Sequence, residues 1–208
     1  MGRYVGAICR LCRRSDEKLM LKGNRCLTPK CALDRRGKPP GHQPARHRRL
    51  SDRGLQLREK QKARYTYGIL ERQFKNLFKE AKRQTGITGE NLLVLLERRL
   101  DNVVYRLGFA DSRIQARQLV KHGHIMLNAQ KTNIPSYKVK EGDTISWRAE
   151  STKTEYYKQL VQSIEAKSVP NWLSLDRQNL IGKVLSLPTP EDIGAKFEGQ
   201  IIVEYYSR

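Results

Sequence analysis

No run of about 18 consecutive apolar residues occurs in this 208-residue chain, so nothing in it reads as a membrane-spanning helix. The start, Met1-Gly2-Arg3-Tyr4-Val5-Gly6, lacks the apolar core of a secretory signal. Gly rather than Ser or Thr at position 6 excludes the myristoylation motif. The cytoplasm is the expected location. No strongly amphipathic Trp- or Phe-rich helix is present, which weakens a membrane surface as partner. Nor is there a catalytic Asp within a long β-rich region; Asp101 falls inside an apolar helical pattern and reads as structural, pairing with a nearby Arg. An RNA-modifying enzyme would need a catalytic domain, and residues 1–97 are too small and too basic for one. Acids are scarce, 21 against 41 Lys plus Arg, for a formal charge of +20.

That charge is uneven. Residues 1–64 carry 19 basic and 5 acidic side chains, net +14, and residues 65–208 carry 22 and 16, net +6. Such a chain needs counter-charge, and nucleic acid supplies it best, through counterion release. Cysteine is confined to the beginning: Cys9, Cys12, Cys26 and Cys31 form C-x2-C, thirteen residues, then C-x4-C. In a reducing compartment this pairing reads as a metal site rather than as disulfides. A structural zinc knot is one reading, an iron–sulfur cluster on the same four thiolates a second, and unliganded or redox cysteines a third. Four thiolates leave no open position, which disfavours a catalytic zinc. The surrounding Arg10, Arg13, Arg14, Lys22, Arg25 and Lys30 are expected to lower the thiol pKa values. A zinc-knot adaptor without RNA fits the charge poorly.

Residues 34–49 have no apolar periodicity, and Pro and Gly forbid a continuous helix. Eight of these sixteen residues are Lys, Arg or His against one acid, so phosphate contact is expected of an extended segment. Ser51 is an N-cap. The helix to about Tyr65 is basic (Arg53, Arg58, Lys60, Lys62, Arg64) and thinly apolar, so one broad face must meet solvent or a partner. Leu70, Phe74, Leu77, Phe78 and Ala81 then recur at core spacing, and at that spacing Phe74 and Phe78 belong to a core rather than to stacked bases. A third helix runs from Thr88 to Gly108. In the fourth, Arg113, Arg117 and Lys121 at i, i+4 and i+8 form one stripe, capped by Ser112 with Gln115 as in a capping box and stopped by Gly123. That cationic stripe reads either as an RNA-binding surface or as a solvated helix face with no partner. Beyond it lie a strand at 124–128, a turn at 129–131, a further extended segment at 132–134, and a strand at 144–147. A helix at about 154–166, strands at 172–175 and 183–187, and a terminal strand at 200–206 complete the pattern.

Several long strings carry a resemblance: Leu50-Ser51-Asp52, Leu57-Arg58-Glu59-Lys60-Gln61-Lys62, Leu70-Glu71-Arg72-Gln73-Phe74, Arg99-Leu100-Asp101-Asn102-Val103-Val104-Tyr105-Arg106, Ala116-Arg117-Gln118-Leu119-Val120 and His122-Gly123-His124-Ile125. With them, the whole chain resembles the bacterial small-subunit ribosomal protein of the S-four family, in its cysteine-bearing form. Residues 98–147 are similar to the small RNA-binding module that recurs in pseudouridine synthases and tyrosyl-tRNA synthetases. The resemblance implies an α+β fold. A four-cysteine metal knot and basic extended segment (1–45) would precede a helical domain (46–96 plus 196–208), interrupted by an RNA-binding domain with a small antiparallel sheet (97–195). It implies no enzyme, but a structural ribosomal constituent that binds the five-way junction of the 5′ domain of small-subunit rRNA early in assembly. Such proteins touch ribosomal protein five, line the channel by which mRNA enters, and bear on decoding accuracy; some repress their own operon. The channel arginines fall onto Arg46 and Arg49, with Arg48 adjacent. Gly41-His42-Gln43-Pro44 departs from the family's Gly-x-His-Gly pattern. With the matched strings, the RNA-facing candidates are Arg46, Arg48, Arg49, Arg53, Arg58, Lys60, Lys62, Arg64, Arg72, Arg113, Arg117, Lys121, His122 and His124. The expected cofactor is Zn2+, or a 4Fe-4S cluster on the same cysteines.

Overall fold

The structure, a computed structural model, describes residues 2–41, 50–194 and 197–207. It divides into two units, residues 1–93 with 195–208, and residues 94–194. The first unit holds α1 (Cys9–Ser15), α2 (Ala32–Arg35), α3 (Asp52–Thr66), α4 (Glu71–Arg83) and α10 (Gly199–Ser207). The boundary between units falls within α5 (Thr88–Glu97). The second unit holds α6 (Leu100–Arg106), α7 (Arg113–Lys121), β1 (Ile125–Leu127), β2 (Gln130–Lys131), β3 (Thr144–Trp147), α8 (Glu155–Ser163), β4 (Leu173–Asp176), β5 (Ile181–Val184) and α9 (Pro190–Ile193).

In the first unit the Ser51 hydroxyl accepts from the Gly54 N–H at 3.2 Å and starts α3 as a cap should. Phe74 and Phe78 are buried, as their spacing predicts. What covers them corrects the sequence reading: the segment expected as a terminal strand is the helix α10. Its Ile-Ile-Val and Tyr-Tyr runs favour strand locally, but tertiary packing overrides propensity. Ile202 and Tyr206, four residues apart, fall on one helical face. Ile202 is fully buried, and the Tyr206 ring stacks on Phe78 at 4.6 Å between centroids. Near their starts α5 and α10 touch backbone to backbone. A Cβ on Gly89 would lie 2.9 Å from the Gly199 carbonyl carbon, and one on Gly199 would lie 3.0 Å from the Gly89 oxygen. Only two glycines permit that crossing.

In the second unit an antiparallel sheet of order β2-β1-β3-β5-β4 packs against the helices. The core gathers Leu100, Val103, Leu107, Phe109, Ala116, Val120, Ile125, Ile145 and Trp172, among others. Two expectations change here. The β1–β2 turn is Asn128-Ala129, not 129–131. Both residues have positive φ, 50° and 62°, as the twist of a two-residue hairpin demands. The Asn128 amide supports it, donating to Asp143 at 2.8 Å and accepting from the Thr144 N–H at 2.9 Å. The expected continuous helix from 88 to 108 is instead α5 and α6, broken at Arg98-Arg99. The segment 135–139 captures the backbone there. The Leu100 N–H donates to the Tyr137 carbonyl, the Asp101 N–H to that of Pro135, and the Val139 N–H to that of Arg98, at 2.8, 3.1 and 2.8 Å. The Leu100 and Asp101 donors and the Arg98 acceptor are thereby denied to any helix continuing through them.

The Tyr206 hydroxyl and the Lys60 ammonium both donate to Glu71 Oε1 at 2.8 Å. Burial raises the Glu71 pKa, but these two bonds and the charges of Lys60 and Arg64 outweigh it, and the net value lies below the usual carboxylate range. A depressed carboxylate stabilises the fold above its unfolded pKa and ceases to as pH falls through the folded value. Glu71→Gln is expected to lower the thermal midpoint at pH 7, by roughly 1–3 kcal/mol of stability, because Lys60 loses its counter-charge. The gap to wild type should close as the pH is taken from about 5 to 3. A constant gap in melts followed by circular dichroism would contradict it.

Candidate nucleic-acid interface

Most cations singled out by spacing are spent inside the fold. Along α7 the Ser112 hydroxyl accepts from the Gln115 N–H at 3.3 Å, so the cap is as expected, although the Gln115 side chain accepts from Asp111 rather than completing the box. The stripe itself is corrected. Arg117 is 8% exposed, and its guanidinium donates to Asp101 Oδ2 at 2.8 Å. Asp101 also takes a pair of bonds from Arg99, at 3.1 and 2.8 Å. Arg113 donates to Asn102 Oδ1 at 2.7 Å and lies over the Tyr105 ring at 4.6 Å. Glu97, fully buried, accepts two bonds from Arg106, at 2.8 and 2.9 Å, and one from Asn102 at 2.8 Å. With Arg113 also 3.8 Å from Glu97, two carboxylates anchor four arginines, and only Lys121 of the stripe stands exposed. Replacing all three residues would therefore disturb the fold as well as the surface. His122 beside it is exposed. His124 is half-buried, with Nδ1 2.9 Å from the Ser151 hydroxyl. Burial first, then His122 and Arg148, push its pKa down, which favours the neutral ring.

On α3 the same holds. Lys60 is 4% exposed and pairs with Glu71. Lys62 lies between Glu59 at 2.6 Å and Glu17 at 3.0 Å; burial opposes its charge, but those bonds prevail and raise its pKa. Arg58 donates to the Ser15 carbonyl at 3.1 Å, and Arg64 lies near Glu71 and over the Tyr65 ring. Arg53 is exposed, 5.9 Å from the Tyr205 ring centre. With few apolar residues on α3, the stems of Lys60 and Gln56 serve as its inner face. Arg46, Arg48 and Arg49, like His42 and His47, lie outside the described residues.

A cluster of exposed cations lies instead on α4, where Arg72, Lys75, Lys79, Lys82 and Arg83 all face solvent. Of these only Arg72 stood out in the sequence. Their recurrence three or four apart was the available signal.

Cys9, Cys12, Cys26 and Cys31 line one cavity of about 20 Å3, and none is in a disulfide. The Cys26 sulfur accepts from the Lys22 N–H at 3.3 Å. Burial pushes the Cys12 thiol up, against the lowering expected from nearby Lys and Arg; a backbone bond to Leu19 opposes this, and the other three cysteines add to it. Four soft donors around one cavity suit a thiophilic cation by chemistry and by place. Among the described residues, however, no group of three or more His, Cys, Asp or Glu side chains has a ligating arrangement.

Two family profiles match in tandem and define the class of the chain: "Ribosomal protein S4/S9 N-terminal domain" over residues 3–97, and "S4 domain" over residues 98–145. The small ribosomal subunit protein uS4 of Dehalococcoides mccartyi is 59% identical over 208 residues, covering all of both chains. Those of Halothermothrix orenii and Thermus thermophilus are each 54% identical, again covering all of both chains. The chain belongs to the uS4 family of small ribosomal subunit proteins.

Asp101→Ala is expected to cost about 3–5 kcal/mol, because Arg99 and Arg117 are left buried without a counter-charge. Lys121→Ala should stay within about 0.5 kcal/mol. Urea unfolding of the two variants would show the contrast; equal midpoints would refute it.

Proposed function

We propose that this chain is a structural, non-catalytic constituent of the cytoplasmic small ribosomal subunit, binding small-subunit rRNA as a primary assembly protein. The observation that carries the reading is full-length similarity, at 54–59% identity, to relatives named small ribosomal subunit protein uS4. The formal charge of +20 agrees with a polyanionic partner. In the finer reading, the chain binds the five-way junction of the rRNA 5′ domain and neighbours ribosomal protein five. Its basic segment, with Arg46, Arg48 and Arg49, faces mRNA where it enters and contributes to accuracy. These follow from the family resemblance. Cys9, Cys12, Cys26 and Cys31 would hold Zn2+, with a 4Fe-4S cluster as the alternative on the same ligands. The metal would tie α1 to α2 across a loop with little core of its own.

A filter-binding salt titration against a 5′-domain rRNA transcript is expected to show binding that survives excess tRNA. Equal competition by tRNA would reduce the chain to a generic polyanion binder and overturn the reading. Elemental analysis of the purified chain should find about one zinc. Its removal should raise amide exchange in residues 1–35 and leave residues 94–194 protected. Iron with visible absorbance would replace zinc by the cluster, and no metal at all would refute both.

A further inference from the structure

The rRNA-binding reading, on which this inference rests, does not say which surface meets the phosphates. We propose that the outward face of α4, formed by Arg72, Lys75, Lys79, Lys82 and Arg83, is a ridge that docks the phosphate backbone of an RNA duplex.

Geometry comes first. At 3.6 residues per turn the five side chains fall within an arc of about 100°, and they span roughly 17 Å along the axis. The opposite face carries Phe74, Leu77, Phe78 and Ala81, all buried. The ridge therefore points away from the core on a helix that the core holds in place.

Charge comes second. Arg72–Lys75, Lys75–Lys79, Lys79–Lys82 and Lys79–Arg83 are like-charge neighbours three or four apart, and each such pair is unfavourable to the isolated helix. Among the described residues none of the five side chains makes a hydrogen bond or ion pair. The acid that begins the helix is spent elsewhere: Glu71 is committed to Lys60. One helix earlier the same chain sets Glu59 and Glu17 around Lys62. Folding alone gives no reason to leave α4 uncompensated. An external polyanion does, since it gathers the ridge's charge and releases its own counterions.

The chemistry of the face selects the partner. No aromatic ring stands on it, so it offers no platform for unstacked single-stranded bases. Its apolar residues are buried, so it cannot insert into a bilayer as an amphipathic helix does. A straight row of point charges on a rigid element suits the regularly spaced phosphates of a duplex, recognised by shape rather than by sequence.

The test uses the full-length protein. Lys75→Gln, Lys79→Gln and Lys82→Gln, combined, keep good helix formers at exposed positions, and circular dichroism checks the fold. Against the 5′-domain transcript the log–log salt slope of the variant should be shallower than wild type by about 2–3 units, near 0.9 for each phosphate no longer neutralised. Independently, binding of the transcript to the wild-type protein should suppress chemical acetylation of these three lysines, read by mass spectrometry. If wild type binds the transcript in excess tRNA while the slope is unchanged, or the acetylation is equal with and without RNA, the ridge is not the docking surface and the rRNA reading stands. If wild type fails to bind over tRNA, both fall together.

Discussion

Two buried carboxylates, Asp101 and Glu97, decide how the second unit is assembled. Each sits where water is excluded, and a lone carboxylate there would be untenable. Arg99 and Arg117 answer Asp101; Arg106 and Arg113 answer Glu97. Arg99, which pairs with Asp101 two residues on, has left the helical region, at φ −68° and ψ 135°. That departure frees the amides which segment 135–139 takes up. The break between α5 and α6, the strap along it, and α7 thus meet at the same pair of carboxylates. Such lattices are weak evidence for net stability, since apolar replacements of equal volume can match them. Their strength is that a single missing member is costly, which fixes one arrangement.

The first unit repeats the logic in a milder form. Glu71 gathers Lys60, Arg64 and the Tyr206 hydroxyl, so the C-terminal helix, α3 and α4 meet at one carboxylate. A chain with nearly twice as many cations as acids cannot neutralise itself. What it can do is set a few acids inward, Glu97 and Asp101 above all, against the arginines that the fold needs, and leave other cations at the surface. The distribution on α3 and α4 follows that division. On α3, Lys60 and Lys62 pair with carboxylates, whereas among the described residues the exposed side chains at 72, 75, 79, 82 and 83 on α4 show no ion pair.

Period and capping were legible in the residues themselves. Ser51 and Ser112 cap as their types imply, and Phe74 with Phe78 belongs to a core. Asp101 is structural because it lies in an apolar pattern. What was not legible depended on partners distant in sequence. The Gln200–Tyr206 stretch has strand propensity and helical placement of Ile202 and Tyr206 at once. Only the rings of Phe74 and Phe78 arbitrate. The stripe Arg113, Arg117, Lys121 has the right angular spacing for a surface, yet spacing cannot say that a carboxylate waits beneath Arg117. Cations at 72, 75, 79, 82 and 83 carried the same signal. The family strings drew attention to Arg72 alone among them, because similarity marks what is shared and not what is exposed. The cysteines are the converse case: their pairing in sequence points to one place, and all four line one cavity.

The division between inward and outward cations also governs what salt can do. Ions screen charges in solvent over about 10 Å at 0.1 M and reach buried pairs far less. Rising salt therefore weakens the outer set against RNA, while the lattice around Asp101 and Glu97 keeps its bonds. The protein can be released from a polyanion without being loosened. By the same reasoning, the salt slope of RNA binding counts only cations that face solvent in the free chain. The total of Lys and Arg overstates it, since Arg99, Arg117 and Lys60 have no condensed phosphate to exchange for. A slope larger than the exposed set allows would require the interior pairs to open on binding, and each pair opened would have to replace a charge-assisted bond of about 2.8 Å with one at least as strong.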